Sequence, residues 1–285
     1  MMEVNGVELC VSSGGAGPPL ILLHGFPQTR FVWHRVAPAL AERFRLIIPD
    51  LRGYGDSAAP PGDEQHANYS KRTMAQDIIA LADELGIDRF ALAGHDRGGR
   101  VGYRLVLDHP GRVSRFCAVD IIPTLDAWEE MDTAALVSAF HWTLLASKAP
   151  LPEQLIGQNP ELFYRALLER WASDIERLDP AAVESYLGQY RDPARIHAQC
   201  EDYRAGATVD RQLDLASRAA GERLDCPVLL LWSRGYLADK AVSPVATWRK
   251  WADDVREQAF DCGHFIVEEE PGRAARAMLD FFAGN

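Results

Sequence analysis

Phe90-Ala91-Leu92-Ala93-Gly94-His95-Asp96-Arg97-Gly98-Gly99 is the stretch on which the reading of this chain turns. The four leading residues are apolar and read as a short buried strand. Gly94 to Gly98 then take the form of a sharp strand-to-helix turn, usually written G-x-S-x-G, with aspartate in the serine position. Glycine at 94 and 98 keeps such a strained turn free of a Cβ clash, and Gly99 lets the next helix pack closely. The aspartate changes the chemistry. A serine attacks acyl carbons and needs a base to deprotonate it. A carboxylate is already ionised at neutral pH and can attack a saturated carbon to form an ester. The turn therefore points to displacement of a leaving group from an sp³ carbon. Gly and Asp are common in ordinary turns, so the reading rests on agreement elsewhere in the chain.

Outward from this turn, short apolar runs alternate with helical patterns. Leu20–Leu23, Leu46–Ile48, Phe116–Val119 and Val228–Trp232 read as further buried strands. Thr73–Leu85, Gly99–Asp108 and Ala274–Phe282 read as helices. This alternation predicts an α/β fold, a mostly parallel sheet with helices on both faces. Residues 3–12 read as an antiparallel edge hairpin. From about Leu125 to Glu222 the grammar changes to helix alone, broken at Pro150, Pro160, Pro180 and Pro193. The expected organisation is a core in two parts, 1–124 and 223–285, with a helical cap inserted over 125–222. A cap at the carboxyl ends of the strands covers the place where open α/β sheets bind ligands.

The bulk numbers narrow the class. The 285 residues suit one core carrying a large insertion. A formal net charge of −11, with no Lys/Arg cluster to override it, argues against nucleic acid as a partner. No signal-peptide pattern opens residues 1–20, and no apolar run is long enough for a membrane span. Cys10, Cys117, Cys200, Cys226 and Cys262 are odd in number and scattered, with neither metal-ligand spacing nor a disulfide framework. A reduced, cytoplasmic protein is expected.

Three more features fit the turn. His24-Gly25-Phe26-Pro27 comes after the first buried strand, where an oxyanion-hole loop belongs. Asp120 comes after the strand beyond the nucleophile, and His264 stands just before the last helix. Their order, Asp96, Asp120, His264, suits nucleophile, orienting acid and base. With these residues the whole chain resembles the α/β-hydrolase superfamily, and within it the haloacetate dehalogenases, fluoroacetate dehalogenases included. The shared segments are HGFPQT (24–29), DLRGYGDS (50–57), GHDRGGR (94–100) and DIIPT (120–124), with His141-Trp142 and the run Asp202 to Gly206.

The resemblance implies cleavage of the carbon–halogen bond of chloro-, bromo- and, as the hardest case, fluoroacetate, giving glycolate through an aspartyl ester with no metal or organic cofactor. Asp96 is then the nucleophile, His264 the base and Asp120 its orienting acid, with Asp239 the alternative acid. The backbone N–H groups of Phe26 and Arg97 would form the oxyanion hole, and Arg97 and Arg100 would bind the substrate carboxylate. His141, Trp142 and Tyr203 would cradle the departing halide, and a homodimer is implied. The Asp50–Ser57 loop reads as a buttress with its arginine and aspartate paired, and His24 and His95 as structural. An epoxide hydrolase, using the same Asp96, His264 and Asp120, is the alternative; there the buried charge of Arg97 would have no anion to meet. A non-catalytic receptor for a small carboxylate would need no nucleophile.

Overall fold

The computed structural model describes residues 1–237 and 243–284. At the amino end β1 (Met2–Val4) and β2 (Val7–Leu9) pair only with each other. Seven strands form the main sheet: β3 (Val11–Gly14), β4 (Pro19–Leu23), β5 (Arg45–Pro49), β6 (Phe90–His95), β7 (Val113–Val119), β8 (Val228–Ser233) and β9 (Val255–Phe260). Their order is β3-β5-β4-β6-β7-β8-β9, and every pair is parallel except β3 with β5. The α/β-hydrolase arrangement expected from the sequence is thus observed. Strand β6 lies at the centre and all six of its residues are buried. That is why it reads as a continuous apolar run rather than an alternating one.

One expectation is corrected and one strand goes unannounced. The edge hairpin over residues 3–12 is split, since β3 alone joins the main sheet. At the other edge lies β9, a strand the apolar pattern does not announce, because Val255-Arg256-Glu257-Gln258 has the polarity of a half-covered edge. Helices begin a few residues ahead of their apolar patterns, as at Lys71–Glu84, where the Ser70 side chain accepts from the Thr73 N–H and caps the first turn. Between β7 and β8 the chain is helical, from the helix Thr124–Glu129 to the helix Val209–Ala219. No helix among the described residues is long and apolar enough to cross a membrane.

Candidate active site

Parallel strands all end on one edge, so residues placed after different strands are brought together there. Asp96 comes directly after β6, and its backbone sits at φ 44°, ψ −115°, a region that side-chain-bearing residues rarely adopt. The strain turns the carboxylate out of the sheet at the head of the helix Arg97–Asp108. The loop after β4 closes against it. A Cβ at Gly25 would lie 2.4 Å from the Asp96 Cβ, so only glycine permits the approach. The next residue, Phe26, donates its backbone N–H to Asp96 Oδ1 at 2.9 Å. Arg97 opens its helix, so its own N–H has no intrahelical acceptor. Burial pushes the Asp96 pKa up, but His264, Arg97 and Arg100 reverse this and hold it well below the usual carboxylate range.

Asp96 Oδ2 faces His264 Nε2 at 3.9 Å, a gap that a bridging water would close. On the far side of the ring, His264 Nδ1–H donates to Asp120 Oδ2 at 2.7 Å, and the Ser233 N–H donates to Asp120 Oδ1 at 2.7 Å. Asp120 therefore selects the tautomer that leaves Nε2 free as an acceptor. Burial raises the Asp120 pKa, with the Ser233 N–H pulling against it, and burial draws His264 down to about 4 against the charge of Asp96. Asp239 lies outside the described residues.

Arg97 and Arg100 are both buried rather than on a helix surface. The Arg97 guanidinium lies 3.5 Å over the Tyr203 ring and 5.4 Å from the Trp142 ring, and Arg100 lies 4.8 Å from Trp142. Arg97 Nε is 3.7 Å from Asp202, which also accepts from Tyr54 and Lys71. Burial weakens the Arg97 charge, but Asp202 holds it more firmly protonated than an ordinary arginine. Its Nη1 and Nη2 are left buried with no hydrogen-bond partner, as is Nε of Arg100. Arg100 Nη1 donates to the Ile122 carbonyl and to Thr124.

His141, Trp142 and Tyr203 meet as one aromatic group, with ring centroids 5.6–6.5 Å apart. His141 Nδ1 is buried without a partner, and burial, helped by the charge of Arg97, lowers this imidazole to about 3. A cavity of about 700 Å³ is lined by Asp96, Arg100, His141 and Trp142 among others. Two further lining residues are missed by sequence reasoning. Trp171 packs its ring 4.7 Å from His141 and accepts the His264 N–H at its carbonyl. Tyr236 stacks 4.0 Å from the His264 ring. Neither stands in a motif; only the position of Tyr236, three residues past the end of β8, hints at the site.

From the loop 50–57, Tyr54 donates to Asp202 beside Arg97, but the pairing of the loop's own arginine and aspartate differs from expectation. Arg52 pairs with Asp77, while Asp50 and Asp56 pair with Arg30. His24 supports its own turn, with Nδ1 at 3.0 Å from the Gly25 carbonyl and Nε2 accepting from the Leu51 N–H. Cys10, Asp50 and Asp56 are close enough to share a cation among the described residues. The Arg30 guanidinium bonded to both carboxylates already supplies that charge.

Residues 18–271 match the family model of the alpha/beta hydrolase fold. The chain is 42% identical to a fluoroacetate dehalogenase of Burkholderia sp., over 99% of this chain and 93% of that one. It is 32% identical to a soluble epoxide hydrolase of Corynebacterium sp. (strain C12), over 98% and 95%. A structure from Nostoc sp PCC 7120 described as a putative alpha/beta hydrolase superposes with a TM-score of 0.97 at 42% identity, over 100% and 97% of the two chains. An open parallel sheet with a strained aspartate at its central strand, matched along nearly its full length to these relatives, marks the chain as a member of the α/β-hydrolase superfamily and, within it, of the haloacetate dehalogenase family.

Proposed function

We propose that this hydrolase cleaves the carbon–halogen bond of haloacetates, giving glycolate and halide through an ester on Asp96. The observation that carries the reading is the pair of buried, unpartnered Arg97 Nη groups beside the nucleophile. A guanidinium fork with two free donors suits a carboxylate. Each buried donor left unmet costs about 1–3 kcal/mol, which a bound carboxylate would remove.

Asp96 Oδ2 attacks the α-carbon as the bond to halogen breaks and its electron pair leaves with the halide. His141, Trp142 and Tyr203 surround the departing charge, each donor to an ion contributing about 1.5–3 kcal/mol. Phe26 N–H already holds Oδ1, so Oδ2 is the oxygen free to attack. His264 Nε2 then takes a proton from water, and the hydroxide adds to Cγ of Asp96. Negative charge collects on Oδ1 in front of the Phe26 and Arg97 N–H groups. Collapse breaks the ester bond; glycolate leaves with the proton from His264, and one proton passes to solvent as the Asp96 carboxylate is restored. The helical segment between β7 and β8 acts as the cap, supplying the halide-facing residues and excluding water.

The 32% identical epoxide hydrolase favours a second reading, ring opening of an epoxide by the same three residues. Asp202 already answers the Arg97 charge, but a neutral epoxide leaves both Nη groups buried without an acceptor, which is costly. The test is halide release from fluoro-, chloro- and bromoacetate, beside turnover of a neutral epoxide. Release is expected from the haloacetates and none from Asp96→Ala. His264→Gln should stop after one halide per chain, with a carboxymethyl group on Asp96 by mass spectrometry. Turnover of the epoxide alone would overturn the proposal.

A further inference from the structure

Behind the site runs a buried chain of side chains that the reaction does not use. His95, the residue before the nucleophile, has Nε2 3.0 Å from the His264 carbonyl oxygen and Nδ1 2.9 Å from Gln28 Oε1. The other end of the Gln28 amide, Nε2, lies 2.8 Å from Glu268 Oε2. Glu268 Oε1 accepts from the Tyr186 hydroxyl at 3.0 Å. His95, Gln28 and Glu268 are each fully buried. The chain links the loop carrying Phe26, the strand leading to Asp96 and the segment carrying His264.

We infer that Glu268 is a positioning residue that acts as a neutral carboxylic acid, setting the tautomer of His95 through Gln28 and thereby the backbone of His264.

Counting hydrogens decides the arrangement. A carbonyl oxygen only accepts, so His95 Nε2 must carry a proton. If Gln28 also turns its oxygen toward Nδ1, that nitrogen needs a proton too, and His95 becomes a buried imidazolium. The two ends of an amide are alike in shape, so turning Gln28 over about Cγ–Cδ swaps them without moving a neighbour. Its NH₂ then donates to a neutral His95 Nδ1, and its oxygen faces Glu268 Oε2. That pairing of two oxygens at 2.8 Å is a hydrogen bond only if Glu268 carries the proton. The contacts from His264 through His95 and Gln28 to Glu268 then each pair one donor with one acceptor, and none of the three side chains His95, Gln28 and Glu268 carries a charge.

The electrostatics agree. Burial draws His95 down to about 4, aided by His264, while burial pushes Glu268 up to about 8. Tyr186 and Arg35 pull Glu268 down, and Glu269 and Asp179 push it up. Arg35 sits at the Glu268 backbone, donating to its carbonyl at 2.7 Å. When Glu268 loses its proton, Gln28 must turn its NH₂ to the carboxylate and its oxygen to His95. His95 then shifts its proton to Nδ1 and presents a lone pair to the His264 carbonyl. The contact that held the base in register becomes repulsive.

The effect on rate rests on the proposed reaction; the proton arrangement does not. The test therefore has two arms, on wild type and Glu268→Gln. Glutamine supplies the acid's donor and acceptor at every pH. In the kinetic arm, wild-type halide release should fall through pH about 8, by at least about tenfold, since a small misplacement of a base costs up to ~10²-fold. Glu268→Gln should match wild type at pH 7 within about twofold and keep that rate to about pH 9.5. In the spectroscopic arm, ¹⁵N-histidine NMR should show His95, identified by its loss in His95→Gln, as the neutral Nε2–H tautomer at pH 7. It should change tautomer through the same pH range in wild type and stay unchanged in Glu268→Gln. An alkaline limb shared by both proteins, a folded Glu268→Gln inactive at pH 7, or an Nδ1–H tautomer at pH 7 would each overturn the inference. Should wild type turn over no haloacetate, the proposed reaction fails, and the spectroscopic arm alone decides this one.

Discussion

Asp96 presents its carboxylate through a backbone conformation that costs about 1–3 kcal/mol, and its neighbours determine what that carboxylate can do. Arg97 holds one edge of its guanidinium toward Asp202 and leaves both Nη groups unmet. Lysine in its place would keep the charge but lose the fork and the flat face against Tyr203. Arg97→Lys is expected to lower kcat/KM for chloroacetate about 10²-fold, roughly 3 kcal/mol, with most of the loss in KM. Steady-state kinetics with a folded variant checks it. The proposed base has its own signature. In that role His264 would work as a neutral imidazole, and burial brings its pKa to about 4. Turnover should therefore hold as pH falls through the ordinary imidazole range and be half lost only near 4, which a pH–rate profile from about 7 down to about 3.5 would reveal. A midpoint near about 6.5, the ordinary imidazole value, would mean that the ring is better solvated than its surroundings allow.

At the scale of elements, the site depends on how closely β4 meets the helix Arg97–Asp108. A Cβ on Gly98 would fall 2.4 Å from the Leu23 carbonyl oxygen and 2.5 Å from that of His24, both backbone atoms that cannot rotate away. Gly98→Ala is expected to destabilise the fold by about 1–3 kcal/mol in urea unfolding, and to lower activity further by displacing the Phe26 N–H. These elements are largely legible in the sequence. Buried strands such as Phe90–His95 and Val228–Ser233 announce themselves because both faces are covered. The edge strand β9 does not, since much of it meets water. The glycine-flanked aspartate, the arginines after it and His264 stand at recognisable places along the chain. Trp171, Tyr236, Gln28 and Glu268 do not, because each reaches the site through contacts with residues 28 to 240 positions away. For the same reason Arg52 reads as paired inside its own loop, whereas its true partner, Asp77, lies on the next helix.

The molecule as a whole carries a formal charge of −11, yet the proposed substrate is an anion. Buried guanidinium groups attract it at short range and are little screened, whereas the surface repels it at long range and is screened well. Raising a non-halide salt from about 0.01 to about 0.15 M should therefore raise kcat/KM for chloroacetate about two- to threefold and leave kcat alone. A fall with salt would show that the approach is locally attractive. The helical segment is bound to the core by more than apolar packing. Asp202 and Tyr203 lie on its helix Pro193–Ala207, and between them they meet Arg97, Tyr54 and Lys71 of the core. Lys71 also lies 3.6 Å from Asp210, on the helix after that one. Recombination that exchanged the segment for one from a relative lacking this acid and ring would strand two cations in a dry interior. Chimeras made at the ends of β7 and β8 will therefore need Asp202 and Tyr203 carried across with the new segment.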